Sequence, residues 1–140
     1  MRQRVLFLCV HNTVRSQMAE ALMNDLGGDR YEAFSAGLEK GLINPMTYQV
    51  MAELGYDLAG HTSKLVSEFL TESNLNILVT VCAKAEAHCP TVWPGLLKTR
   101  LYWPFDDPAQ AQGTEEERLS VFRRVRDEIK QKIEEFLAAN

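Results

Sequence analysis

The segment VLFLCVHNTVRSQMAEALMNDLG, residues 5–27, is the feature that most constrains how this chain folds. An apolar run of strand length ends at Cys9, and a short polar stretch follows it. Apolar residues then recur at helical spacing as far as the glycine pair at 27–28. A buried strand that passes directly into a helix is typical of α/β proteins, in which helices cover a parallel sheet. The segment therefore predicts a parallel sheet with one strand ending at Cys9.

The rest of the chain continues this alternation. Further strands are predicted over 31–37, 75–81 and 98–103, and further helices over 44–55, 63–70 and 114–139. Asn44 followed by Pro45 marks one helix start, and the Thr114/Glu117 capping box marks another. With 140 residues, 46% of them hydrophobic, the chain can fill one core. We predict a single α/β domain over residues 1–140, with a central four-stranded parallel sheet and helices on both faces.

The net charge and the cysteine count limit the possible functions. A net charge of -4 gives no global electrostatic basis for binding nucleic acid or an anionic membrane. No apolar run reaches the roughly 20 residues of a membrane span, and the N-terminus lacks signal-peptide features. We therefore expect a cytoplasmic protein. We also expect it to act as a monomer and to hold no bound metal or cofactor. Because three cysteines cannot all pair within one chain, Cys9, Cys82 and Cys89 are expected to be reactive thiols.

The segment CVHNTVRS places a thiol, five intervening residues and a guanidinium between a strand end and a helix start. If it curls inward, its backbone N–H groups and the first-turn donors of the helix form an anion cradle. Arg15 adds a planar fork of donors, and this positive environment is expected to lower the pKa of Cys9 to roughly 3.5–7.5. Ser16 is expected to donate a hydrogen bond to the sulfur. The predicted oxyanion-binding residues are Val10, His11, Asn12, Thr13, Val14 and Arg15.

The segment CVHNTVRS could also have a purely structural role. A cysteine at a strand end is usually a small buried hydrophobic residue, and an arginine in a first helical turn is usually solvated. The position between a buried strand and a helix favours an oxyanion-binding nucleophile, because spacing, helix dipole and sheet edge converge there. Asn12 is expected to adopt left-handed backbone geometry in the tight turn.

Cys82 and Cys89 follow the buried strand predicted over 75–81, so they emerge near the same sheet edge as Cys9. The six residues between them are rich in helix formers. In a continuous helix, residues seven apart are separated by about 10.5 Å, which is too far for a disulfide. A bond between them requires the segment to unwind, which indicates a redox switch. Alternatives are a zinc site with His88, although its spacing is unusual, and two unrelated core cysteines.

Six motifs occur in the order found in one known family: CVHNTVRSQMAEAL, FSAG, NP, HTS, VTVCAKAEAHCP and FDDPA. Over nearly its whole length the chain resembles the thioredoxin-coupled arsenate reductases, which share the low-molecular-weight protein tyrosine phosphatase fold. The resemblance implies that Cys9 attacks bound arsenate while Asp107 protonates the departing oxygen. It also implies that Cys82 then attacks Cys9, and that Cys89 attacks Cys82. Thioredoxin would reduce the resulting Cys82–Cys89 disulfide.

Several alternatives stay open at this point. Asp-Asp-Pro is also common turn chemistry, so Asp107 need not be an acid. The electron donor can be glutathione with glutaredoxin in place of thioredoxin. A tyrosine phosphatase would use the same loop and leave Cys82 and Cys89 idle. Weak phosphatase activity is also expected as a side activity of an arsenate reductase. A non-enzymatic redox sensor would use only the switch between Cys82 and Cys89.

The resemblance also bears on a cation site. Several members of the family bind potassium beside the loop, and Asn12, Glu20 and Ser35 match three of those ligand positions. The fourth position, an aspartate in those members, is Lys64 here. Because an ammonium group can take the place of a cation electrostatically, we expect activity that does not depend on potassium.

Overall fold

The computed structural model describes residues 2–70, 74–90, 93 and 97–140. The strands formed by these residues are β1 (Gln3–Cys9), β2 (Tyr31–Gly37), β3 (Ile77–Thr80) and β4 (Thr99–Tyr102). They form one parallel four-stranded sheet in the order β2-β1-β3-β4. The α-helices are α1 (Arg15–Leu26), α2 (Pro45–Ala52), α3 (Ala83–His88) and α4 (Glu115–Ala139), and short 3₁₀ turns span Val66–Glu68 and Pro108–Gln110. The predicted single α/β domain with a four-stranded parallel sheet is confirmed.

The core lies on both faces of the two central strands. In β1 every residue from Val5 to Cys9 is buried, and all four residues of β3 are buried. Strands with this pattern have no solvated face, so both faces of the sheet are covered. The helix α1 packs against β2 and α4, and α2 also packs against α4. This packing places the start of α1 beside the end of β1.

The long helix α4 begins with the predicted capping box. Thr114 Oγ1 accepts a hydrogen bond from the Glu117 backbone, and Glu117 Oε1 accepts one from the Thr114 backbone, at 3.1 and 3.2 Å. Apolar residues at helical spacing in this segment predict one apolar face of α4. Five of them are buried and Phe136 is half-buried, the five being Leu119, Phe122, Val125, Ile129 and Ile133. None of the helices formed by the described residues is long and apolar enough to cross a bilayer.

The helix predicted over 63–70 is wrong, because only the single 3₁₀ turn Val66–Glu68 forms there. The backbone of Lys64 donates to Asn12 Oδ1 at 2.9 Å and accepts from the Gly37 backbone at 2.7 Å. These long-range bonds hold the segment against the end of β2 and override its modest helical tendency. The helix predicted over 44–55 is confirmed, but α2 ends earlier, at Ala52.

Candidate active site

The carboxyl ends of the strands meet at a cavity of about 380 Å³. Cys9 ends β1, Cys82 follows β3, and Asp107 lies in the loop after β4. Parallel sheets typically bind ligands at this edge. The cavity is lined by Cys9, Val10, His11, Thr13, Val14, Arg15, Cys82, Lys84, Asp107, Ala109 and Gln110. The structure therefore brings most of the predicted site residues together.

The loop between β1 and α1 is fixed by a buried asparagine. Asn12 has a φ of 57°, as predicted for the tight turn, and its side chain has no exposed surface. Its amide nitrogen donates to Ser16 Oγ at 2.8 Å. Its amide oxygen accepts from Gln17 Nε2 at 3.0 Å and from the Lys64 backbone at 2.9 Å. Asn12 thus stabilises the loop from its buried side and does not line the cavity.

The end of β2 leaves room for this loop only because it carries a glycine. A Cβ atom on Gly37 would lie 2.7 Å from the carbonyl oxygen of Val10 and 2.9 Å from the backbone nitrogen of Asn12. Both separations are shorter than ordinary van der Waals contacts, so a side chain here would displace the loop. The FSAG motif therefore contributes to the shape of the cradle.

Arg15 is buried at the start of α1 and faces the cavity. Its Nη1 donates to the carbonyl oxygen of Phe105 at 3.0 Å, and its Nη2 lies 3.7 Å from Asp107 Oδ2. Its Nε is buried and has no hydrogen-bond partner among the described residues. A buried donor without a partner costs free energy, which a bound anion would recover. The arginine is therefore suited to an oxyanion.

The sulfur atoms of Cys9 and Cys82 lie 4.0 Å apart, and both residues line the cavity. The hydrogen bond with Cys9 lowers the pKa of Cys82 to about 6, against the effect of burial. The Ala85 and Lys84 backbone N–H groups and the Arg15 guanidinium lower the pKa of Cys82 further. Cys82 is the N-cap of α3, so these backbone donors belong to the first helical turn.

The pKa of Cys9 is raised above its ordinary value, chiefly by its hydrogen bond to Cys82 and by burial, while Arg15 acts in the opposite direction. The prediction of a lowered pKa at Cys9 is therefore wrong for the ligand-free pair. The Cys9 thiol donates to the Cys82 sulfur, and the first-turn donors of α3 favour negative charge on Cys82 over Cys9.

The hydrogen bond predicted from Ser16 to the sulfur of Cys9 does not form within the described residues. The Ser16 hydroxyl is buried and accepts a hydrogen bond from the amide of Asn12. Ser16 does not line the cavity. Its contact with Asn12 supports the loop, and the sulfur of Cys9 contacts Cys82 instead.

Cys89 lies at the end of α3, away from the cavity. Its thiol donates to the carbonyl oxygen of Pro90 at 3.4 Å, and its sulfur accepts from Arg100 Nη2 at 3.3 Å. All three cysteines are free. Because α3 is helical over the whole segment between Cys82 and Cys89, its helical rise alone separates the two cysteines by about 10.5 Å.

Asp107 both stabilises a turn and faces the cavity where a general acid would act, the two roles that the sequence left open. Its Oδ1 accepts from the Ala109 backbone at 3.0 Å, which caps the 3₁₀ turn, and its carboxylate also lines the cavity beside Arg15. The neighbouring Asp106 is exposed and pairs with Arg124 at 3.2 Å. Only the second aspartate of the pair is thus in a position to act on a bound anion.

The sequence analysis missed Lys84, Ala109 and Gln110, which also line the cavity. Lys84 stands two residues after Cys82 on a segment that was predicted to be near the sheet edge. Gln110 stands three residues after Asp107 in a Pro-initiated turn, which directs both side chains toward one side. These short separations in sequence from Cys82 and Asp107 could have indicated that Lys84 and Gln110 lie at the cavity.

Lys64 lies beside Glu20, one of the three residues that match potassium ligands of the family. Its Nζ is 3.8 Å from Glu20 Oε1 and donates to the carbonyl oxygen of Thr62 at 2.8 Å. The same Glu20 oxygen accepts a hydrogen bond from Ser35 at 2.6 Å, and the other lies 3.3 Å from His61 Nδ1. Within the described ranges, no group of three or more His, Cys, Asp and Glu residues could hold a metal ion.

Comparisons with known proteins point to one family. The sequence profile for low molecular weight phosphotyrosine protein phosphatase matches residues 4–139. An arsenate reductase of Bacillus subtilis (strain 168) is 42% identical over 132 residues, which make up 94% of this chain and 93% of that protein. A solved structure of an arsenate reductase in oxidized state matches with a TM-score of 0.81 at 28% identity, covering 98% of both chains. A thioredoxin-dependent arsenate reductase of Corynebacterium glutamicum matches with a TM-score of 0.70 at 25% identity, covering 99% of this chain and 61% of that one.

Proposed function

Because the chain belongs to the low molecular weight phosphotyrosine protein phosphatase family, we propose that it reduces arsenate to arsenite in a phosphatase-like site and serves arsenic detoxification. The observation that carries the proposal is the 4.0 Å contact between the sulfurs of Cys9 and Cys82. Hydrolysis of a phosphate ester uses one thiol. Reduction of arsenate also needs a second thiol that can reach the first.

Arsenate would bind against the loop at 10–14 and the start of α1. The backbone N–H groups of a helix start attract an anion. Beside them, Arg15 Nε supplies a charged donor that has no hydrogen-bond partner among the described residues. The exposed Lys84 adds positive charge at the cavity wall. We propose that these groups hold three oxygens of the anion while the fourth faces Asp107.

The first step forms a bond between sulfur and arsenic. The proton that Cys9 shares with Cys82 moves to Cys82, which leaves the thiolate on Cys9. The Cys9 thiolate attacks arsenic, and one oxygen departs as water after Asp107 supplies a proton. Arsenic remains pentavalent at this stage, because the sulfur has only replaced an oxygen ligand.

The second step reduces arsenic. Cys82 loses its proton to water and attacks the sulfur of Cys9, which forms a Cys9–Cys82 disulfide and breaks the bond between sulfur and arsenic. The electron pair of that bond stays with arsenic, which leaves as arsenite. The Ala85 and Lys84 backbone N–H groups and the Arg15 guanidinium also lower the pKa of Cys82, and these groups can still favour its thiolate once Cys9 is bonded to arsenic.

The third step recycles the site. Cys89 attacks Cys82, the bond between Cys9 and Cys82 breaks, and Cys9 is restored as a thiolate. We propose that thioredoxin then reduces the Cys82–Cys89 disulfide, since the similar Corynebacterium glutamicum protein is a thioredoxin-dependent arsenate reductase. All three thiols and the acid come from one chain, so the reaction needs no second copy. A relay of free thiols also suits the reducing cytoplasm.

Phosphate ester hydrolysis is a weaker candidate for the main activity. The residues that follow Asp107-Pro108 in the cavity wall are Ala109 and Gln110, which give a phenyl ring little surface for stacking. Phosphate and arsenate have the same tetrahedral shape, and both reactions begin with attack by Cys9. We therefore propose weak phosphatase activity beside the reductase activity.

The deciding experiment measures arsenate-dependent NADPH oxidation by the purified protein with thioredoxin and thioredoxin reductase. We expect sustained turnover for the unmodified protein. Cys82→Ser should abolish it while leaving hydrolysis of p-nitrophenyl phosphate intact. Cys89→Ser should release one equivalent of arsenite and then stop, because its Cys9–Cys82 disulfide is not passed on.

Three results would contradict the proposal. Full multiple-turnover activity in Cys89→Ser would remove the third thiol from the reaction. Fast phosphate ester hydrolysis with no arsenate turnover by any donor would make the protein a phosphatase. Turnover with glutathione and glutaredoxin, but none with thioredoxin, would keep the reductase activity and replace the electron donor.

A further inference from the structure

Arg100 on β4 contacts the sulfur of Cys89, although no step of the proposed reaction assigns it a role. Its Nη2 donates to Cys89 Sγ at 3.3 Å. Within the described ranges this is its side chain's sole hydrogen bond, and it forms no ion pair with a carboxylate there. An exposed arginine usually pairs with an acidic side chain or extends into water. A guanidinium directed at a buried thiol is therefore a feature that requires explanation.

The surroundings of Cys89 otherwise oppose ionisation of its thiol. Burial raises the pKa of Cys89, and the carboxylate of Glu86 on α3 raises it further. The guanidinium of Arg100 and the indole of Trp93 act in the opposite direction. Trp93 Nε1 also donates to the carbonyl oxygen of Pro90, so Arg100 supplies the cationic contact. The net effect still leaves the pKa of Cys89 above its ordinary value, and the Arg100 contact limits this rise.

We propose that Arg100 is a catalytic residue of the recycling step, where its guanidinium stabilises the Cys89 thiolate that attacks Cys82. The inference rests on the proposed reductase function. The Cys89 proton passes to water, and the sulfur is held by Arg100. The thiolate then forms a bond to the sulfur of Cys82 as the Cys9–Cys82 bond breaks. Cys9 leaves with the electron pair as a thiolate, so the exchange needs no further oxidant or reductant.

The position of Arg100 on a strand suits this role. It is paired with Leu78 of β3 in the sheet, whereas Cys89 follows a helix that must unwind before the two cysteines can meet. The guanidinium thus stays in place while the thiolate forms, and it releases the sulfur when α3 opens. A lysine at this position would retain the charge but lack the planar fork of donors.

The first test measures the reactivity of Cys89 alone. In a Cys9→Ser/Cys82→Ser background, alkylation of Cys89 by iodoacetamide is followed by mass spectrometry from pH 6 to 10. We expect Arg100→Gln to move the midpoint to higher pH and to slow alkylation at pH 7 by about three- to ten-fold. Arg100→Lys should keep part of the rate. Lys98→Gln, which removes an exposed positive charge close by in sequence without a described contact to Cys89, should leave the profile unchanged.

The second test uses the full reaction. Arg100→Gln should release its first equivalent of arsenite at the unmodified rate and then turn over several-fold more slowly with thioredoxin. Equal alkylation profiles for Arg100→Gln and the parent would overturn the inference, and so would equal shifts in Arg100→Gln and Lys98→Gln. If the unmodified protein does not reduce arsenate, the proposed function fails. The alkylation result still decides whether Arg100 stabilises the Cys89 thiolate.

Discussion

At the scale of single residues, the site depends on side chains that are buried with a specific hydrogen-bond pattern. Asn12 accepts the left-handed backbone geometry that most residues avoid, and its amide joins the loop to Gln17 and Lys64. Arg15 is held by Phe105 through one nitrogen and leaves another without a described partner. Asn12 therefore shapes the anion cradle, and Arg15 supplies its positive charge.

The shared proton of the thiol pair predicts how Cys82 responds to pH. Because Cys9 is the largest cause that lowers the pKa of Cys82 to about 6, removing it should raise that pKa toward the ordinary value. A thiol with a lowered pKa is ionised above that pKa and reacts more slowly as the pH falls through it. In a Cys89→Ser background, Cys82 should therefore react with iodoacetamide at half its maximal rate near pH 6, and Cys9→Ala should shift this midpoint upward. Peptide mapping distinguishes Cys82 from Cys9, and an unchanged midpoint would show that the two thiols are not coupled.

Lys64 predicts the response to potassium. Its ammonium already lies 3.8 Å from Glu20 Oε1, so a potassium ion would have to displace it. Replacing sodium by potassium at constant ionic strength should leave arsenate turnover unchanged. Lys64→Asp removes the ammonium and adds a carboxylate, so this variant should be stimulated by potassium. A large stimulation of the unmodified protein by potassium, absent with sodium, would contradict the assignment of Lys64.

At the scale of secondary structure, the short helix α3 separates two of the three thiols, Cys82 and Cys89. With six residues it is too short to be stable alone, so tertiary contacts must hold it. Ala85 is fully buried, and Glu86 is hydrogen-bonded to Thr80 on β3. A disulfide between its two ends requires these contacts to open. The helix thus opposes formation of the Cys82–Cys89 bond.

Because the helix α3 opposes formation of the Cys82–Cys89 disulfide, weakening the helix should change the reduction potential of this pair. Ala87 is exposed, so Ala87→Gly should weaken the helix by about 1 kcal/mol with little loss of packing. The reduced form would lose this stabilisation, whereas the unwound oxidised form would not. The potential of the Cys82–Cys89 pair should become more negative by about 20 mV, measured by equilibration in dithiothreitol redox buffers. Gln131→Gly, at an exposed site in α4, should leave the potential unchanged, and an equal shift in both variants would argue against local unwinding.

At the scale of the whole molecule, local patterns predicted most of the fold, and tertiary contacts decided the remainder. The strand that ends at Cys9, the turn at Asn12 and the helix from Arg15 are close in sequence, so their geometry could be predicted. The proton shared with Cys82 could not, because it depends on a 4.0 Å contact between residues 73 positions apart. The missed residue Lys84 reaches the cavity only because α3 packs back onto the sheet.

Binding of an oxyanion should stabilise the whole domain, because the cradle is formed only in the folded state. At a hundred times the dissociation constant, arsenate should add about 2.7 kcal/mol to the free energy of unfolding. For a domain of this size, the melting temperature should rise by about 5–10 °C. Phosphate should also raise it, while sodium chloride at matched ionic strength should not. Arg15→Ala should abolish the shift, and Arg2→Ala, at the opposite end of β1, should retain it. A melting temperature that neither oxyanion changes would favour a thiol redox sensor, since a sensor has no need of the cradle.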